Sequence, residues 1–144
     1  MFIGEYSHSV DGKGRIAIPY RFRKYLKGGA VVAKGLMDKC LYIYPKEEWE
    51  KLSAKLAGLP ISDSKARAFS RLMFSGAAEV SFDRQGRILL PNYLRQYSGL
   101  KTQAVVSGVY NRVEIWDAKS WQEYKNKSEK TTLDLSKHLE ELGV

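Results

Sequence analysis

The chain has 144 residues, 44% of them hydrophobic and 28% charged, with a formal net charge of +8. This balance fits a folded, soluble protein with one core, or two small halves sharing one, and excludes a disordered polyelectrolyte. It holds no apolar run near the roughly 18 residues of a membrane helix, and its opening, MFIGEYSHSVDGKG, lacks the basic flank and apolar centre of a secretory signal.

The single cysteine, Cys40, allows no internal disulfide and no cysteine-based metal site, so a reducing, cytoplasmic setting is expected. The charge is unevenly spread. Residues 1–72 hold 14 Lys/Arg and 7 Asp/Glu, whereas residues 73–144 hold 10 and 9. Two stretches carry bases and no acid, Gly12 to Met37 and Arg84 to Val113. Such stretches favour a polyanionic partner.

In chain order, a strand is expected over Glu5 to Val10, then the turn Asp11-Gly12-Lys13-Gly14, then a second strand from Arg15 to Ile18. Asp at the first turn position can accept hydrogen bonds from the backbone N–H groups that follow, and Gly at the fourth tolerates positive φ. The three pieces read as a β-hairpin. Pro19 opens a short helix, PYRFRKYLKGG, stopped by Gly28. A strand pair follows, near Ala30–Ala33 and Cys40–Tyr44. The helix PKEEWEKLSAKLAGL then places Trp49, Leu52 and Leu56 on one stripe. SDSKARAFSRLMFSG reads as another helix, capped by Ser62, with Ala66, Phe69, Leu72 and Met73 as its apolar stripe.

The pattern then repeats. At an offset of 72, Asp11, Gly14, Arg15, Ile16 and Pro19 meet Asp83, Gly86, Arg87, Ile88 and Pro91. Further matches pair Arg23 with Arg95, Ile43 with Ile115 and Trp49 with Trp121. The second copy therefore predicts a strand over Ala78 to Phe82 and the turn Asp83-Arg84-Gln85-Gly86. A strand follows over Arg87 to Leu90, then a helix from Pro91 stopped by Gly99. A strand pair over Gln103–Ser107 and Arg112–Trp116 turns through GVYN, and Asp117 caps a helix. The tail from Lys125 to Val144 reads as a last helix, weakly amphipathic through Leu135, Leu139 and Leu142. The expected units are a module at 1–58, a connecting helix at 59–76, a second module at 77–122 and a helical tail at 123–144. The class is α+β, rich in β.

No catalytic constellation emerges. His8 and His138 have no metal-ligand spacing, Cys40 sits in the apolar strand KCLYIY as a small core residue, and GKGR lacks the remainder of a phosphate loop. No metal or cofactor is expected, and the chain does not read as an enzyme. The two Asp-x-x-Gly-Arg turns admit two compatible readings. In one, Asp11 and Asp83 lock the turns and pair with Arg15 and Arg87 as structural ion pairs. In the other, the turns and arginines face double-stranded DNA, because a two-stranded ribbon fits the major groove and Arg can donate two hydrogen bonds to guanine. The expected DNA contacts are Lys13 and Arg15, then Arg84 and Arg87, with Arg21, Arg23 and Lys24 as phosphate contacts. Asp11, Gly14, Asp83 and Gly86 shape the turns. An assembly module without DNA readout, and an RNA-binding protein, remain alternatives; no membrane partner is expected.

The two signatures DGKGR and DRQGR, with the flanks MFIGEY, LYIYPKEEW, FSGAAE and EIWDAKSW, resemble the MraZ family. The resemblance spans Met1 to about Trp121. It implies a duplicated swapped-hairpin, AbrB-like β-barrel with flanking helices, in which strands of the two modules interleave. It further implies a nucleoid-associated transcriptional regulator that binds direct repeats in the promoter of its own cell-division and cell-wall operon. The implied assembly is a ring-like homo-oligomer of the octamer class. The family's DNA-reading signature falls on Asp11 and Arg15 and on Asp83 and Arg87; the second turn differs in carrying Arg84 and Gln85.

Overall fold

A computed structural model describes the whole chain, Met1–Val144. Eight strands and six helices follow in the order β1 (Phe2–Ser9), β2 (Arg15–Ala17), α1 (Tyr20–Arg23), β3 (Ala30–Lys34), β4 (Leu41–Pro45), α2 (Lys46–Ala57), α3 (Ser64–Gly76), β5 (Ala78–Val80), β6 (Arg87–Leu89), α4 (Asn92–Ser98), β7 (Gln103–Tyr110), β8 (Arg112–Asp117), α5 (Ala118–Lys130) and α6 (Thr132–Glu141). The chain is a mixed α+β protein.

Six strands form one antiparallel sheet in the order β1-β7-β8-β4-β3-β5. The halves interleave in it. β1 from the first half pairs with β7 of the second, and β5 from the second pairs with β3 of the first. At the centre β4 meets β8, with Tyr42 opposite Glu114, the residue that matches it in the repeat. The pairing therefore follows a pseudo-twofold relation: Tyr6 faces Val106 as Ala78 faces Val32. The relation is imperfect at the edges, where β1 pairs along eight residues and β5 along three. Hydrogen bonding runs from β1 at one end of this sheet to β5 at the other and does not join the two ends.

β2 and β6 form a separate two-stranded ribbon, with Ile16 opposite Ile88. This corrects the two local hairpins expected from sequence. β1 and β2 share a single isolated bridge, Val10 to Ile16, and β2 takes its partner from the other half. The physical reason is burial. Ile16 and Ile88 are fully enclosed in a core shared with Phe22, Val32, Ile43, Leu94, Val106 and Ile115, residues from both halves. Only a cross-half ribbon brings both isoleucines into that common core, where each buried side chain contributes roughly 1.5–3 kcal/mol.

Further differences lie in the helices and in one turn. α3 is capped by Asp63, whose carboxylate accepts from the N–H groups of Lys65 and Ala66; Ser62 lies outside the cap. Only Met73 of its expected stripe is buried, while Phe69 and Leu72 face outward. α1 ends after Arg23, and turns carry the chain to Gly28. In the β7–β8 turn the left-handed residue is Tyr110, φ 60°, rather than a glycine or asparagine. The tail expected as one helix from Lys125 is divided: Lys125–Lys130 complete α5, and α6 starts at Thr132. Other expectations agree. Asp117 caps α5 through Ser120 N–H, Gly99 closes α4, and Trp49, Leu52 and Leu56 of α2 pack on a second cluster with Cys40, Tyr44 and Trp116.

Polar bonds fix the outer elements. Glu5 on β1 accepts from Trp121 Nε1 and, at 2.8 Å, from Lys125 Nζ, which holds α5 beside the β1 edge. The buried Glu114 carboxylate accepts from Arg112 Nε and Trp116 Nε1, each at 3.0 Å.

Candidate nucleic-acid interface

The site is built from the two turns and the ribbon between them. Side chains alternate along a strand. With Ile16 and Ile88 pointing into the core, Arg15, Ala17, Arg87 and Leu89 fall on the outer face. Arg15 and Arg87 are thus presented diagonally across one short ribbon by strands of different halves.

Each turn is locked by its aspartate. Asp11 Oδ1 accepts from the backbone N–H groups of Lys13, at 3.0 Å, and Arg15, at 2.9 Å, and Oδ2 accepts from Arg15 Nε at 2.7 Å. Asp83 repeats the pattern with Gln85 N–H, Arg87 N–H and Arg87 Nε. These bonds, led by the one from the Arg15 backbone, lower the Asp11 carboxyl to about 2. The Arg87 backbone bond likewise leads in lowering Asp83. Both arginines spend Nε on a carboxylate. The Nη groups of Arg15 donate to no protein acceptor, and Arg87 Nη1 reaches 3.7 Å from Asp11 Oδ2. Asp11 therefore faces the arginines of both turns. The structural ion-pair reading is correct, and it leaves outward donors available.

Each turn is also held by the opposite half. Gly14 C=O accepts from Leu90 N–H at 2.9 Å, and Gly86 C=O accepts from Ile18 N–H at 3.1 Å. Gly14 (φ 85°) and Gly86 (φ 74°) take the left-handed conformation that favours glycine. The guanidinium of Arg95 lies over Gly14, and that of Arg23 lies over Gly86. Arg95 Nε is fixed by Leu90 C=O at 3.0 Å, whereas the buried Arg23 Nε has no partner.

The structure groups the expected residues in two sets. Asp11, Lys13, Gly14, Arg15, Asp83, Arg84, Gly86, Arg87 and Arg23 gather at the turns and ribbon, with Lys13 and Arg84 exposed at the tips. Arg21 and Lys24 lie elsewhere. They border a depression with Met1, Ile3 and Tyr25, and Arg21 Nη1 donates to Tyr6 Oη at 3.1 Å. Two residues were missed. Arg95 and Lys101 line a hollow with Asp11, Gly12 and Thr102 beside the first turn. The signal for Arg95 was present in its match to Arg23 and in the second acid-free stretch.

No group of three or more His, Cys, Asp or Glu could hold a metal ion. The Cys40 thiol is buried and pushed up by desolvation, far from a thiolate. No helix is long and apolar enough to cross a membrane.

The family described as "MraZ protein, putative antitoxin-like" matches twice, at residues 1–72 and 73–142. Among similar proteins, one named Transcriptional regulator MraZ from Halothermothrix orenii is 46% identical over 144 residues, all of both chains. Another of that name from Desulfitobacterium hafniense is 47% identical, again over all of both chains. A third, from Carboxydothermus hydrogenoformans, is 51% identical over 126 residues, 88% of this chain and 87% of the relative.

Proposed function

The chain belongs to the MraZ family, and from that premise we propose that it is a transcriptional regulator that binds double-stranded DNA through the outer face of the β2–β6 ribbon and its two turns. The relatives carry the name of a regulator and not of an enzyme. The observation that carries the DNA reading is the pairing of Arg15 and Arg87 on one outward face, each oriented through Nε by its own aspartate. An arginine held in this way keeps its Nη donors aimed and loses little freedom on meeting a guanine edge or a phosphate. Lys13, Arg84, Arg23 and the newly placed Arg95 and Lys101 add positive charge around the two turns. Arg21 and Lys24 would serve only a longer path of DNA past α1.

The finer reading is sequence-specific binding to repeated boxes in the promoter of the chain's own cell-division and cell-wall operon, in the cytoplasm and at the nucleoid. It includes a ring-like homo-oligomer, in which several ribbons engage several boxes and raise avidity by roughly 10²–10⁴. The duplicated modules, 1–58 and 77–122, then supply two halves of one reading face instead of two separate ones.

Footprinting on DNA upstream of the gene, with affinity measured at several salt concentrations, tests this reading. Protection of regularly spaced repeats and a steep salt slope are expected. Equal binding of unrelated sequences would overturn specificity, tighter binding of RNA would move the partner to RNA, and no binding would leave an assembly module.

A further inference from the structure

α6 follows α5 as α3 follows α2, yet the two helices end differently. α3 buries Met73 and Gly76. α6 buries no residue, and Leu135, Leu139 and Leu142, at helical spacing, are 50%, 46% and 65% exposed. A ten-residue helix is marginal in water without packing of its apolar face. The stripe therefore needs a cover that α6's own chain does not give it.

The chain carries a surface of matching chemistry near the end of α2. A groove of about 340 Å³ runs between the end of α2 and α3, walled by Leu56, Leu59, Ile61 and Phe74 and edged by Arg67 and Arg71. No residue of α6 lines it. Leu59 and Ile61 are exposed there. The charges are complementary. α3 carries Lys65, Arg67 and Arg71 and no acid, while residues 132–144 carry Asp134, Glu140 and Glu141 against Lys137 alone. The donor stripe and the groove also lie at different parts of the molecule. α5, which leads into α6, packs on β7 and β8, whereas α3 packs on β3.

We propose that α6 of one copy seats its leucine stripe in the α2–α3 groove of the next copy, with its acidic end against Arg67 and Arg71. The contact is head-to-tail. Each copy offers one helix and one groove, so the contact passes from copy to copy and makes a ring where the rotation between copies closes. This inference rests on the self-association proposed above and names the surfaces that make it.

Sedimentation of the full chain and of two sets of variants tests it. The wild-type chain sediments as an oligomer. Leu135→Asp with Leu139→Asp releases monomers of unchanged core, checked by far-UV dichroism and melting. Glu140→Lys with Glu141→Lys weakens assembly roughly tenfold or more, and adding Arg67→Glu with Arg71→Glu to that chain restores it. A merely destabilised variant would show no such rescue. As a check that needs no loss of assembly, Leu139→Cys with Ile61→Cys in one chain forms an intermolecular disulfide ladder on mild oxidation. A monomeric wild-type chain would overturn both the self-association and this contact. An oligomer that the leucine and charge variants leave intact, or one without the ladder, would overturn the contact alone.

Discussion

Arg95, from the second half of the chain, lies directly over Gly14 in the turn of the first, so that a Cβ on Gly14 would fall 2.5 Å from the Arg95 Cζ. Arg23 and Gly86 repeat the arrangement with the halves exchanged. Each candidate DNA-facing turn is therefore shaped by its own aspartate and clamped by an arginine from the opposite repeat. The two turns are thus tied to each other through the opposite halves.

Gly14→Ala should destabilise the protein by about 1–3 kcal/mol, chiefly because a side chain there is strained by the left-handed backbone, and it also pushes the Arg95 guanidinium aside. Gly12→Ala, with open space around it, should change stability little. Thermal or denaturant unfolding of the pair measures the contrast; equal effects would refute the left-handed strain at Gly14.

Ile16→Ala should cost about 2–5 kcal/mol, since its side chain is fully buried in the core between the halves. Ile88→Ala should cost a similar amount. The two positions face each other in the ribbon, so the double substitution should depart from additivity. Denaturant unfolding of the four-protein cycle checks this.

Arg15→Ala should weaken DNA binding by about 1–3 kcal/mol while leaving the fold and assembly intact. Arg87→Ala should weaken it less, because more of the basic surplus lies in the first half and Arg87 also leans toward Asp11. Arg15→Lys should recover little, since an ammonium cannot hold Asp11 and offer a planar pair of donors together. Titrations against one promoter fragment, with sedimentation as the control for assembly, rank the three.

Acid should loosen the first turn in a definite window. The folded Asp11 carboxyl lies at about 2, below its ordinary 3.8. Its contribution to stability is present above 3.8 and is lost as pH falls through the folded value. Asp11→Asn should remove that part of the slope between about pH 4 and pH 2. Unfolding free energies measured across this range, or the Asp11 carboxyl signal followed by NMR, supply the check.

The residue pattern alone determined the duplication, the turn chemistry of Asp11, Gly14, Asp83 and Gly86, the strand and helix order, and the placement of Cys40 in a core. These follow from local rules: side-chain periodicity, backbone N–H groups within reach of an aspartate, and glycine where φ is positive. The family match rested on the same short motifs. The local pattern did not say which strands pair; the family resemblance implied interleaved modules, and the tertiary structure supplied the partners. Nothing near Arg15–Ala17 distinguishes a local hairpin from a ribbon made with Arg87–Leu89, because the choice depends on Ile16 and Ile88 reaching one core made by both halves. It also decided that Phe69 and Leu72 face outward while Met73 packs inward. A helical stripe shows which residues share a side, but neighbouring elements select the side that is buried. The clamp of Arg95 on Gly14 was hidden for the same reason. The two residues are far apart in sequence, and only the exchange of strands between repeats brings them together.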